Sequence, residues 1–303
     1  MRKAVIDLGT NSILLTVAEK TANGIGILFE DKEEPRLGKN FSAGGKLDFD
    51  AKRRTISALK QLLQKAKDFN PDEMRAFGTK ILRDAVDSTE FLKTIEGGVG
   101  IKVRIISGEE EAAYAFRGAL WGLDIDGESA IITDIGGGST EIAFYDDKGG
   151  LKLISIPIGA VSITERFMPS TPADRKQYEQ AKAVIEREIS GGMINTGIRR
   201  KKLIFSGGTA TAASAAILKL DKYNPQLVHG SRFDLDEIVQ FSQMIDNADI
   251  NERRRILCLD PKRADIISAG LLILVSVMKY FSAKEMIVSN GGVRIGFLLD
   301  LFN

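Results

Sequence analysis

Two short segments of the 303-residue chain gather carboxylate, hydroxyl and glycine in one turn: Asp7, Leu8, Gly9, Thr10, Asn11, Ser12, and Asp134, Ile135, Gly136, Gly137, Gly138, Ser139, Thr140, Glu141. Glycine alone says little there, because tight hairpin turns need it for conformational reasons. The combination says more: open amides and hydroxyls suit a phosphate, and carboxylates suit an oxygen-liganded cation sharing its charge. Mg²⁺ takes such ligands and keeps waters and phosphate oxygens in its shell. On this reading Asp134 and Glu141 hold the ion. Two further junctions, at Ser206, Gly207, Gly208, Thr209 and at Asn290, Gly291, Gly292, lead from a strand into a helix, where free N–H groups and the helix dipole favour anions.

A second cluster of chemistry lies at Ser107, Gly108, Glu109, Glu110, Glu111. Ser107 with Glu110 three residues on is a capping box, and acids in a first helical turn gain from the dipole, so Glu109 and Glu110 are explained by helix initiation. Glu111 is left over. It either adds one more first-turn acid or, facing a phosphate, orders and deprotonates a water. Arg83 and Arg36 are candidate phosphate clamps through their forked donors. The runs at Arg199 to Lys202 and Arg253 to Arg255 read as solvated surface.

Other chemistries are excluded by what is scarce. One histidine, His229, would have to serve every histidine-dependent mechanism, and beside Gly230 it reads as structural or surface. One cysteine, Cys258, allows no internal disulfide, so a reducing, cytoplasmic compartment is expected. Asp7 and Gly9 interrupt any apolar leader at the start. The longest apolar run, Ile266 to Met278, is too short to cross a bilayer and reads as a buried helix. A formal net charge of +1, with 44% hydrophobic and 27% charged residues, describes a globular protein without broad attraction to nucleic acid or membrane. No Walker or dinucleotide-binding glycine pattern is present.

The elements that must position these residues form a repeat. Residues 4–17 and 130–144 each read as strand, glycine turn, strand, and each first strand ends in Asp-x-Gly. Between the copies fall an amphipathic helix near 50–69, strands at 74–77 and 102–106, and a helix after Ser107. The second half carries helices near 172–191, 208–218, 234–248 and 262–281. This mixture predicts an α/β architecture in two domains, 1–123 and 124–303.

Together these segments resemble the exopolyphosphatase and guanosine pentaphosphate phosphohydrolase (Ppx/GppA) family, supported by Leu82, Arg83, Asp84, Ala85, by Ile158, Gly159, Ala160, Val161, by Lys262 to Gly270 and by Asn290 to Gly296. The resemblance implies an actin-like (ribonuclease H-like) α/β fold of two domains with an interdomain active-site cleft. It implies Mg²⁺-dependent release of terminal phosphate from polyphosphate, a short oligophosphate or guanosine pentaphosphate. Glu111 falls on the family's catalytic glutamate, Asp134 and Glu141 on its metal and phosphate carboxylates, and Asp7 to Ser12 on its first phosphate loop. Arg83 falls on an arginine touching substrate phosphates. Ile13 and Leu14 depart from the family's usual residues after Asn-Ser, which puts one contact at that edge in question. The chain matches the short form without extra helical domains, and the resemblance allows a homodimer. The rival expectations are a guanosine tetra- or pentaphosphate sensor that does not turn its ligand over, and a kinase of the same fold.

Overall fold

The computed structural model describes residues 1–10, 12–22, 24–39, 41, 44–193, 202–256 and 258–303, with Lys262 by its backbone alone. In chain order the first part forms β1 (Arg2–Leu8), β2 (Ile13–Thr21), β3 (Gly24–Glu33), α1 (Phe49–Lys67), β4 (Glu73–Gly78), α2 (Lys80–Asp84), α3 (Ser88–Val99), β5 (Val103–Ile105) and α4 (Gly108–Leu120). There follow β6 (Ala130–Ile135), β7 (Thr140–Tyr145), β8 (Leu151–Ile156), α5 (Ala160–Phe167), α6 (Arg175–Gly192), β9 (Lys202–Ser206), α7 (Gly207–Ile217), α8 (Pro225–Val228), β10 (Arg232–Asp234), α9 (Leu235–Asn247), α10 (Ile250–Arg254), α11 (Ile267–Tyr280), β11 (Glu285–Val288) and α12 (Val293–Phe302). The chain divides into two compact units, one of Met1–Gly118 with Val293–Asn303, the other of Ala119–Gly292.

The repeat seen in the sequence is a repeat of whole sheets. In unit 1 the strand order is β3-β2-β1-β4-β5; in unit 2 it is β8-β7-β6-β9-β11, with β10 added antiparallel at the edge. In each, three antiparallel strands joined in sequence are followed by two parallel ones. This is the actin-like α/β plan, laid down twice. Ligands of open α/β sheets gather at the carboxyl ends of parallel strands, and those ends carry Asp7, Gly78 and Ile105 in unit 1 and Asp134, Ser206 and Val288 in unit 2.

Local chemistry explains the elements that hold these ends. The Asp48 side chain caps α1 by accepting from Ala51 N at 2.8 Å, and Ala51, Thr55, Ala58, Leu59, Leu62, Leu63 and Ala66 line its buried face. Each such leucine contributes about 1.5–3 kcal/mol by leaving water. The helix α11 has no polar stripe, and Ile267 through Met278 are all buried. The apolar run read from the sequence is therefore a core helix of unit 2, and no helix among the described residues is long and apolar enough to cross a membrane.

The division at 123/124 differs from the observed units in one consequential respect. Residues 293–303 belong with unit 1, because α12 packs on β1 and β2 and stacks Phe297 on Phe77 of β4 with ring centres 4.7 Å apart. A Cβ built on Gly296 would lie 1.9 Å from the Tyr114 carbonyl oxygen, so α12 touches the α4 backbone directly. A short apolar helix at the end of a chain gives no local sign of which sheet it will cover.

Candidate active site

In unit 1 the β1–β2 turn closes on itself through Gly9 N to Ser12 O at 3.0 Å, and Gly38 N donates to Thr10 O at 2.8 Å from outside. A Cβ on Gly38 would stand 2.3 Å from Thr10 Cγ2, so glycine there lets the second loop seat against the first. Asp7, Gly9, Thr10 and Ser12 form this turn; Asn11 lies outside the described residues. The Asp7 carboxyl is pushed up to about 7, by burial above all, with the Arg294 guanidinium pulling it down and the Glu111 charge pushing it further up.

Glu111 enters from α4. The capping box forms as expected: Glu110 Oε2 accepts from Ser107 N at 2.9 Å, and Glu110 N donates to Ser107 Oγ at 3.1 Å. With Glu110 so engaged, Glu111 is free of that duty. Arg83, from α2, donates from Nη2 to Glu111 Oε2 at 2.8 Å and from Nη1 to Ile106 O at 2.8 Å. Both side chains stay partly exposed, 26% and 30%. A carboxylate aimed by a fixed arginine and open to solvent can order a water. Arg36 stands exposed on left-handed backbone with φ 54°, its carbonyl accepting from Lys39 N at 3.0 Å.

Unit 2 repeats the turn and changes its chemistry. Gly136 N donates to Ser139 O at 2.9 Å. The carbonyls of Gly136 and Gly137 accept the first amides of α5, from Ala160, Val161 and Ser162. A Cβ on Gly159 would fall 2.5 Å from Gly137 C, so this docking needs glycine. The Gly137 and Gly138 amides make no backbone hydrogen bond among the described residues, which leaves them open to an anion. Asp134 and Glu141 are direct cross-strand partners on β6 and β7 and share a face. Glu141 Oε1 accepts from Ser139 Oγ at 2.7 Å and Ser155 Oγ at 3.0 Å, while Ser206 Oγ donates to Asp134 Oδ2 at 3.2 Å. Burial first and the Glu141 charge second push Asp134 up to about 6, against Ser206 and Arg263.

The strand-to-helix junction of β9 and α7 completes this group. Gly207 has φ +82°, and a Cβ there would meet Asp134 Oδ1 at 2.3 Å; one on Gly208 would meet Arg263 Nη1 at 1.9 Å. The start of α7 has no side-chain cap, and Thr209 is buried behind it against Gly270. Gly207 therefore stands beside Asp134 at an uncapped helix start, with Gly208 under Arg263 and Thr209 packed away against Gly270.

The donor set fits Mg²⁺. The Glu141 charge adds to the cost of ionising buried Asp134, which a divalent cation relieves, and every donor is oxygen. Among the described residues no cluster of three or more acidic, histidine or cysteine side chains is poised for a metal, so an ion here would draw the rest of its shell from water and substrate, as Mg²⁺ ordinarily does.

Several contributors carried no role in the sequence reading. Arg263 lies over Gly208, and Arg294 donates to Glu30 at 2.6 Å while acting on Asp7. Both fall inside segments of family resemblance, which was the available signal. Arg253, read as surface, is buried at 2%; its guanidinium closes carbonyls at the end of α9, accepting none and donating from Nε to Ile245 O at 2.9 Å. Arg199, Arg200 and Lys201 lie outside the described residues. His229 is structural: its Nδ1 accepts from Asn290 N at 3.2 Å, so Nε2 carries the proton toward Trp121 O at 2.7 Å.

Comparison with known proteins follows these lines. The sequence pattern described as the Ppx/GppA phosphatase family matches residues 16–303. The chain is similar to a bifunctional 3-dehydroquinate synthase/phosphatase of Fusobacterium nucleatum, 31% identical over 315 residues, covering 98% of this chain and 46% of the relative; it thus spans about half of that protein. It is 26% identical over 314 residues to exopolyphosphatase 2 of Mycobacterium tuberculosis, covering 99% and 98% of the two chains. The crystal structure of the Aquifex aeolicus Ppx/GppA phosphatase, type II variant, matches with TM-score 0.88 at 30% identity over 99% of each chain.

Proposed function

The chain belongs to the Ppx/GppA phosphatase family, and from that premise we propose that it hydrolyses the terminal phosphoanhydride bond of inorganic polyphosphate, a short oligophosphate or guanosine pentaphosphate. The observation that carries the reading is the Arg83–Glu111 pair. A glutamate not consumed by the capping box, aimed by an arginine at 2.8 Å and still open to solvent, is what water activation requires. A nucleotide sensor that leaves its ligand intact has no use for it.

Glu111 orders the attacking water and takes its proton. The water oxygen bonds to the terminal phosphorus as the bridging P–O bond breaks, and the shortened phosphate chain leaves with that electron pair. Arg83 neutralises phosphate charge, and the open Gly137 and Gly138 amides suit phosphate oxygens. The protein's contribution is mostly positioning and charge stabilisation. Asp134 and Glu141 would hold Mg²⁺, which when bound supplies further neutralisation of the phosphate oxygens.

The test is phosphate release by the full chain with Mg²⁺, from long polyphosphate, tripolyphosphate and guanosine pentaphosphate in parallel, with Glu111→Gln beside the wild type. Release that depends on Glu111 is expected, and the panel ranks the substrates. No release from any of them, with guanosine nucleotide binding intact, would replace the hydrolase reading by the sensor.

A further inference from the structure

The C-terminal helix brings a cation to the face of unit 1 that holds Asp7. Strand register fixes that face. Val5 on β1 stands opposite Thr16 on β2, and Thr16 opposite Glu30 on β3. Asp7 is two residues beyond Val5 and so shares its side of the sheet. It also pairs in register with Phe77, the residue on which Phe297 of α12 stacks. The same helix touches α4 at Gly296 and sets Phe297 against Tyr114, ring centres 5.1 Å apart, one turn beyond Glu111. One helix thus braces both the strand that carries Asp7 near its end and the helix that carries Glu111 in its first turn.

Arg294 sits in the first turn of α12. Its Nη2 donates to Glu30 Oε1 at 2.6 Å, and Glu30 Oε1 also accepts from Thr16 Oγ1 at 3.3 Å. The arginine side chain is only 16% exposed. Among the described residues, three buried side-chain polar atoms lack a hydrogen-bond partner in the protein, and two of them are Asp7 Oδ1 and Arg294 Nε. A buried polar group without a partner is a cost that a fold ordinarily avoids. A purely structural ion pair gains little over an apolar replacement, so two such costs of opposite character on one face point to function.

We propose that Arg294 is a positioning residue of the phosphate site: clamped by Glu30 on the face that carries Asp7, its guanidinium supplies the charge that holds the Asp7 carboxylate and its turn in place for the reaction. The inference rests on the hydrolase reading above for what the turn is used for. The charges acting on Asp7 are Arg294 from α12, which favours its ionised form, and Glu111 from α4, which opposes it. Lys32 on β3 lies in Asp7's row but pairs with Glu34, and Arg83 pairs with Glu111. Arg294 is therefore the cation that offsets the repulsion between Asp7 and Glu111.

The experiment uses the full chain with Arg294→Gln, Arg294→Lys and Glu30→Gln. One readout is kcat and KM for phosphate release across pH; the other, independent of turnover, is the ¹³C-carboxyl NMR titration of Asp7, assigned with Asp7→Asn. Arg294→Gln is expected to lower kcat roughly 10- to 100-fold with little change in KM, the scale of a small misplacement in a site. It should also move the acid limb of the profile and the Asp7 midpoint upward. Arg294→Lys should restore the Asp7 titration but only part of kcat, and Glu30→Gln should give a weaker form of the glutamine effect. An Asp7 titration unchanged in Arg294→Gln overturns the proposal, whether or not the enzyme turns over. If Arg294→Gln does not fold, Arg294→Lys and Glu30→Gln carry the same comparison, and wild-type kcat with wild-type Asp7 titration in both overturns it. Absence of phosphate release from the wild type refutes the proposed function separately.

Discussion

The two hairpin turns share a backbone and differ in chemistry. Gly9 N reaches Ser12 O at 3.0 Å in one, and Gly136 N reaches Ser139 O at 2.9 Å in the other. Asp7 and Asp134 are each the last residue but one of the first strand, and burial raises both. The difference lies directly across the ladder, where Asp7 faces Leu14 and Asp134 faces Glu141. One cross-strand position decides whether a turn can share a cation between two carboxylates or leaves a lone buried acid that must find its countercharge elsewhere. Unit 1 finds it in Arg294, and adds Glu111 and Arg83 from the helices that follow β5 and β4.

In the proposed function Glu111 of unit 1 activates the water and the Asp134–Glu141 pair of unit 2 holds the ion, and substitutions should separate the two roles. Glu111→Gln is expected to have the largest effect, lowering kcat by roughly 10² to 10⁴ with substrate binding kept, as for loss of a general base. Stopped or single-turnover phosphate release measures it; a wild-type rate would remove Glu111 from the chemistry. Next comes Glu141→Leu, which copies Leu14 into unit 2. The Mg²⁺ concentration giving half-maximal activity should rise at least about tenfold, the scale on which even outer contacts of a metal act. Activity insensitive to this change would mean the pair does not hold the ion.

The titrations sharpen the contrast further. Both buried aspartates keep their protons to higher pH folded than unfolded, so from about pH 4 the folded chain binds more protons than the unfolded one. Stability from these groups is therefore highest at low pH and falls as pH rises toward about 6 for Asp134 and about 7 for Asp7. At pH 8, Asp7→Asn and Asp134→Asn should each melt a few degrees above wild type, and the advantage should vanish near pH 4. Adding Mg²⁺ should erase the advantage of Asp134→Asn, because the ion relieves the wild-type pair, and leave that of Asp7→Asn. Differential scanning calorimetry at both pH values checks this; equal behaviour of the two variants with Mg²⁺ would dissolve the distinction.

The duplicated hairpin was legible because its signals are local: an apolar run, Asp-x-Gly, a second run. So were α1, from its apolar spacing, and the capping box of α4. The helix α2 that carries Arg83 was not read, being only five residues long, and the third strands β3 and β8 were not separated from their turns. Arg253 shows the other limit: three adjacent arginines look like surface, and only the meeting of α9 with α10 reveals a buried one. Arg294 is the most instructive case. Its partner Glu30 lies 264 residues away in sequence, a separation no spacing rule spans, and its membership in unit 1 follows from which sheet α12 covers.

The smallest expected effect tests the equivalence of the two backbones. A Cβ on Gly9 would lie 3.1 Å from Ser12 O, and one on Gly136 would lie 3.0 Å from Ser139 O. Neither glycine has a left-handed φ, so the contact alone opposes alanine, and a backbone oxygen must yield a few tenths of an ångström. Alanine also lowers the entropy of the unfolded chain, worth about 0.4–1 kcal/mol in its favour, which offsets part of that strain. Gly9→Ala and Gly136→Ala should therefore each cost about 1 kcal/mol or less and agree with one another. Gly207→Ala should cost more, since its φ of +82° and the Asp134 carboxylate at 2.3 Å both resist a side chain. Thermal melts of the three variants decide it: unequal shifts for Gly9→Ala and Gly136→Ala would mean that the turns match in hydrogen bonding but not in rigidity, and that cross-strand chemistry is not the only thing that separates them.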